Sequence, residues 1–195
     1  KAYFNQSGSA ATPASKTPIT QANIKQAVND WVNNPTQATT KYGHIKDWDT
    51  SAVTSMGSLF YNKPQFNDDI SRWNVSNVKN MGSMLAYTTA FNQDISGWNV
   101  SNVTNMEAMF YEARSFNQAI DNWNVSKVTN MRAMFYRAYA FNQAIGNWNV
   151  SNVTNMKEMF SKVKAFNQPI GSWDVSNVTD MQSMFYEATV FNQPL

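Results

Sequence analysis

His44, Asp69 and Asp94 are spaced by 25 residues, and Asp68 adjoins the second of them. If the chain repeats at that interval, one imidazole and two or three carboxylates come to one side of it. Such a donor set can ligate a divalent metal ion. The alternative is an exposed histidine that offsets two neighbouring acids. A second series, Tyr61, Tyr111, Tyr136 and Tyr186, also keeps multiples of 25, with Tyr87 and Tyr139 close by. Tyrosine combines a large flat ring with one polar tip, which suits protein or sugar recognition. The other reading is a set of rings lying between coils as packing.

Familiar catalytic sets are missing. His44 is the only histidine, and no strained nucleophile turn, phosphate-cradling glycine loop or metalloprotease motif stands in the sequence. Without Cys there is neither a disulfide framework nor a thiolate metal site. We therefore expect no enzyme and no cofactor. Lys and Arg are scattered and the net charge is only +2, which argues against a nucleic-acid partner. No apolar run is long enough to expect membrane insertion.

The elements that must position these residues come from a repeat. Trp48, Trp73, Trp98, Trp123, Trp148 and Trp173 are 25 residues apart without a slip. Counted from Trp as position 1, the unit reads W-N-V-S-x-V-T-N-M-x-x-M-F-x-x-A-x-x-F-N-Q-x-I-x-x. A fixed period of this length marks a stack of structural units. Ile95, Trp98 and Val100 suggest a short strand, with Trp98 and Val100 on one face. Met106, Met109, Phe110 and Ala113 follow at i, i+3, i+4 and i+7, the apolar stripe of a short helix.

The expected fold class is α/β: a leucine-rich-repeat-like solenoid of 25-residue coils, one short strand and one short helix each, with an N-terminal capping helix. Helices need wider spacing than strands, so the rod should curve with its strands inside. One coil buries too little apolar surface to offset the entropy of ordering it, which makes stacking obligatory. The invariant Asn residues after each core Phe, such as Asn92, Asn117 and Asn142, carry both donor and acceptor. A stacked row of them can satisfy backbone groups at the coil corners, or bind a ligand.

Residues 1–18, rich in Ser, Ala, Thr and Pro, read as a flexible linker, in which Phe4 to Gln6 echo the repeat. Residues 19–47 read as the capping helix and a lead-in strand. Thr20 is the expected cap, Ile24, Ala27, Val28, Trp31 and Val32 the apolar face, and Asn33-Asn34-Pro35 the stop. Residues 48–195 hold six copies. The sixth reaches its Ile position at Leu195, where further repeats or a capping partner are expected.

The stretch FNQDISGWNVSNVTNMEAMF, Phe91 to Phe110, resembles the BspA-like surface-protein repeat, the 25–26-residue type of bacterial and mycoplasma surface proteins. ITQANIKQAVNDWV and YGHIKDWDTSAV resemble the segment that precedes such arrays, so the likeness spans about residues 19–195. It implies a leucine-rich-repeat-like solenoid and a cell-surface, extracellular location. In some members it implies adhesion to host proteins or other cells. It transfers no catalytic residues.

Three functions follow as expectations. The first is a cell-surface adhesion or binding module whose partner is a protein or glycan on a host or neighbouring cell. The second is a structural spacer within a larger surface protein. The third is ice binding through the repeated Asn and Ser rows, such as Asn99 and Ser101.

Overall fold

The computed structural model describes residues 15–195, so most of the predicted linker, with Phe4 to Gln6, lies outside the described residues. The lid comes first. Helix α1 spans Ile24–Asn33 and helix α2 spans Pro35–Tyr42, followed by a single 3-10 turn at Ile45–Asp47. Ile24, Ala27, Val28 and Trp31 of α1 are buried, whereas Val32 stays exposed. Thr20 supplies its carbonyl rather than its side chain, accepting from the N–H of Ile24 at 3.0 Å. Asn33-Asn34-Pro35 ends α1 and also starts α2. The Asn34 side chain accepts from the Gln37 N–H at 3.0 Å, and Pro35 occupies a first-turn position where no N–H is needed. No helix among the described residues is long and apolar enough to cross a membrane.

From Trp48 onward the expected α/β solenoid must be corrected. The two helices of the lid are the only α-helices among the described residues, and no strand forms there. The coils are built from turns. Their only sheet-like feature is one isolated parallel bridge per interface, at position 8, running Ser55–Asn80–Asn105–Asn130–Asn155–Asp180. Curvature inferred from helix and strand widths falls with those elements.

The physical reason lies in the backbone. Positions 11 and 15 of every coil are left-handed, from Ser58 and Asn62 at φ 56° to Ser183 and Glu187 at φ 58° and 55°. Left-handed residues cannot continue a right-handed helix. Instead, three overlapping turns close within each coil from the second onward, as in Met109 N–H to Met106 O, Tyr111 to Ala108 and Ala113 to Phe110, at 3.0–3.2 Å. The N–H groups left over point along the stack. Met56, Ser58, Phe60 and Asn62 donate to the carbonyls of Asn80, Gly82, Met84 and Ala86 in the next coil, at 2.8–3.0 Å. That ladder recurs coil after coil. It meets the demand that buried backbone groups be paired without any strand or helix.

The core follows the repeat. Position-13 and position-19 phenylalanines pair within a coil, as Phe110 and Phe116 with centroids 4.0 Å apart, and stack between coils, as Phe110 and Phe135 at 5.6 Å. Trp98 and Trp123 lie parallel at 6.4 Å. Each indole N–H reaches back to the preceding coil, Trp98 to Ile70 O and Trp123 to Ile95 O, both at 3.2 Å. The lid closes the first coil by imitation. Gln21 Oε1 accepts from the N–H groups of Thr54 and Ser55, and Gln21 Nε2 donates to Ser55 O, where a preceding coil would otherwise bond.

Candidate functional site

The repeated polar columns are engaged in hydrogen bonds, some between coils and some within one coil. Oδ1 of each position-20 Asn accepts the backbone N–H of the Asn one coil later, five times over from Asn67 to Asn192, each at 2.9 Å. Position-21 Gln side chains donate to the same oxygens at 2.9–3.1 Å. Position-8 Asn residues accept from the N–H two residues on, as Asn105 does from Glu107. Position-2 Asn residues do the same for Ser, as Asn99 for Ser101.

The metal column is drawn into local bonds too. Asp69 and Asp94 accept the N–H of Ser71 and Ser96 at 2.9 Å, and hydrogen bonds from those serines hold both carboxyls below the usual aspartate range. His44 Nδ1 faces the Lys46 N–H at 3.3 Å, and its ring packs edge-on against Trp31 with centroids 4.7 Å apart. Asp68 goes elsewhere, accepting from Trp31 Nε1 at 2.9 Å. Among the described residues, no three His, Asp or Glu side chains come together as a metal-binding group.

The tyrosines behave differently. Tyr61, Tyr111 and Tyr136 join through Tyr87 into one line across four coils. Centroids are 5.5 Å apart for Tyr61–Tyr87, 5.2 Å for Tyr87–Tyr111 and 4.5 Å for Tyr111–Tyr136. Tyr111 and Tyr136 stack within 13° of parallel, so ring edges rather than faces meet the solvent between them. Tyr61 is exposed and Tyr87, Tyr111 and Tyr136 are half-buried. Burial pushes the Tyr111 phenol well above its ordinary value, with Tyr87 and Tyr136 adding to the effect. Ser161 interrupts the line in the fifth coil. Tyr186 therefore stands apart, exposed, with Lys162 Nζ 5.6 Å from its ring.

Tyr87 occupies position 15 rather than 14. The Ala86 beside it, standing where other coils carry Tyr, is the signal that the aromatic slot had shifted by one residue. A second feature is not visible from spacing. Glu112 is buried and holds two arginines, Arg137 Nη1 on Oε1 at 2.7 Å and Arg114 on Oε2 at 2.8 Å. Burial pushes the Glu112 carboxyl up, but hydrogen bonds and charge from Arg137 and Arg114 more than reverse this and leave it lowered. Arg137 lies over Tyr136 at 5.3 Å and Arg114 over Tyr139 at 5.4 Å, within cation–π range. Tyr139 thus belongs to the same band through Arg114, beside the tyrosine line rather than in it.

One family model matches this chain twice, over residues 32–140 and 118–195. Its description reads Mycoplasma protein of unknown function, DUF285. The chain belongs to the DUF285 family. No curated protein and no solved structure matches it. The two DUF285 matches overlap over residues 118–140, which crosses the boundary between the third and fourth coils. A model that can be laid twice on one chain fits a unit that recurs along it.

Proposed function

We propose that this DUF285 chain is a cell-surface binding module of the BspA-like kind, and that the tyrosine–arginine band is its recognition surface. One observation carries the reading. The position-20 Asn and position-21 Gln columns are spent on intercoil bonds, whereas the aromatic and charged side chains at positions 14, 15 and 17 vary from coil to coil on an almost unvarying backbone. Rigid aromatic edges flanked by arginines are what interfaces use as anchors. The resemblance to surface-protein repeats supplies the location, and a protein or glycan on another cell is the partner it suggests.

Because Tyr111 and Tyr136 stack face to face, the band offers hydroxyl-tipped edges rather than open platforms. This favours polar contacts over ring-on-sugar stacking. Binding of the labelled protein to host cells, compared with the Tyr111→Ala/Tyr136→Ala double variant, tests the reading. A loss of about tenfold or more is expected. Equal binding by both proteins overturns it.

A second reading, the spacer, draws support from the near-identity of the coils, since a spacer needs no unique site. The Asn and Ser rows that suggested ice are engaged within the molecule, as Ser151 Oγ on Asn149 Oδ1 at 2.7 Å, and no observation favours that reading further.

A further inference from the structure

We propose that the fourth and fifth coils bind a linear polyanionic glycan, one whose sulfate or carboxylate groups recur along a flexible chain. The inference rests on the binding-module reading and adds the chemistry of its ligand. Residues 123–172 contain six cations, Lys127, Arg132, Arg137, Lys157, Lys162 and Lys164, against the single acid Glu158. The coils on either side have the opposite sign. Residues 98–122 hold three acids and one cation, and 173–195 hold three acids and none. The positive field is therefore local to two coils within a nearly neutral chain.

The backbone ladder sets four of these cations side by side, in two pairs. Ala133 N–H donates to Lys157 O at 2.8 Å, which makes Arg132 and Lys157 neighbours at position 10. Arg137 N–H donates to Ser161 O at 3.0 Å, which does the same for Arg137 and Lys162 at position 15. Lys164 adds a charge at position 17, exposed to solvent. Successive rungs are one coil apart, as Phe135 and Phe160 at 5.7 Å in the core beneath.

Acids of the flanking coils meet part of this charge: Glu107 lies 2.9 Å from Arg132 Nη1 and Glu187 lies 3.7 Å from Lys162 Nζ, whereas Lys157 and Lys164 form no ion pair among the described residues. Glu112 is buried between Arg114 and Arg137, one carboxylate against two guanidiniums. Duplex nucleic acid fits poorly, because it carries a charge about every 1.7 Å along its axis, far denser than these rungs. A glycan with charges on successive or alternate sugars has the coarser spacing that the coils offer. Tyr111 and Tyr136 edges border the patch and can bond the uncharged hydroxyls of such a chain.

The test uses immobilised heparin, chemically desulfated heparin and poly-glutamate with the wild-type protein. It adds the Lys157→Glu/Lys164→Glu variant and Lys127→Glu as a control away from the band. Binding to heparin that weakens on the desulfated polymer, which keeps only its carboxylates, and is absent on poly-glutamate is expected. It should weaken about tenfold or more in the double variant, change little in the control and fall with added salt. Equal thermal melting of all three proteins shows that folding is not the cause. Absence of heparin binding, binding undiminished in the double variant, or equal binding to poly-glutamate overturns the inference. If heparin binding fails while the tyrosine double variant still loses cell binding, the binding-module reading stands and only its glycan chemistry falls.

Discussion

Asn142 donates its backbone N–H to Asn117 Oδ1 at 2.9 Å, and Gln143 Nε2 reaches the same oxygen at 2.9 Å and the Asn117 carbonyl at 2.8 Å. One side chain thus serves two donors from the next coil. Asn117→Ala leaves the Asn142 N–H without its partner in a half-buried corner. Chemical denaturation should show a loss of about 1–3 kcal/mol. Asn117→Asp keeps an acceptor for both donors and should lose far less. Equal losses in the two variants would mean that the acceptor oxygen is not what matters.

Left-handed residues offer the opposite kind of variant. Ala108 stands at φ 53°, and its N–H donates to Arg132 O at 2.8 Å. An L-residue there carries a steric penalty that glycine escapes, partly offset by glycine's greater freedom when unfolded. Ala108→Gly should therefore stabilise the protein by up to about 1 kcal/mol. Ala108→Val should destabilise it, since β-branching worsens that conformation. Thermal melts of the pair check both signs.

These same positions explain what could be read from the sequence and what could not. The 25-residue unit, its buried Trp, Met and Phe, and the intercoil use of Asn117 follow from spacing and donor chemistry. The helix does not. Met106, Met109, Phe110 and Ala113 fall on a helical stripe, but three overlapping turns place the same four residues inward. Only a left-handed backbone tells the two apart. Glycine would have announced it, yet Ala108, Ala133, Glu158 and Lys162 give no such sign. At the candidate site, the column of Tyr61, Tyr111 and Tyr136 was legible as a spacing. The place of Tyr87 in the line, and the grip of Glu112 on Arg114 and Arg137, depend on neighbours brought together only by the stack.

Glu112 gives a dependence on pH. Its carboxyl is lowered in the folded state, so the pairing contributes stability above the ordinary glutamate range and loses it as pH falls through the lowered folded value. Glu112→Gln keeps the shape and removes the charge. At about pH 7 the variant should be less stable by about 1.5–3 kcal/mol, the range for hydrogen bonds to a charged group. The gap between the two proteins should begin to narrow as pH falls below the ordinary glutamate value, about 4.3, and close below the lowered folded value. A gap that does not change with pH would show that shape rather than charge holds the arginines.

Tyr111 titrates at the other end of the scale. Burial raises its phenol above the ordinary tyrosine value, with Tyr87 and Tyr136 adding to the effect. Folding therefore favours the neutral phenol. As pH rises past the unfolded tyrosine value, about 10, the unfolded chain ionises first and the folded state loses stability. Tyr111→Phe keeps the stack against Tyr136 and removes the ionisable group. It should lessen the loss of stability at high pH. Cell binding then separates the two parts of the side chain. If the hydroxyl edge makes the contact, Tyr111→Phe weakens binding nearly as much as Tyr111→Ala. If only the ring matters, Tyr111→Phe binds like the wild type, and the hydroxyl-tipped edge is not the contact.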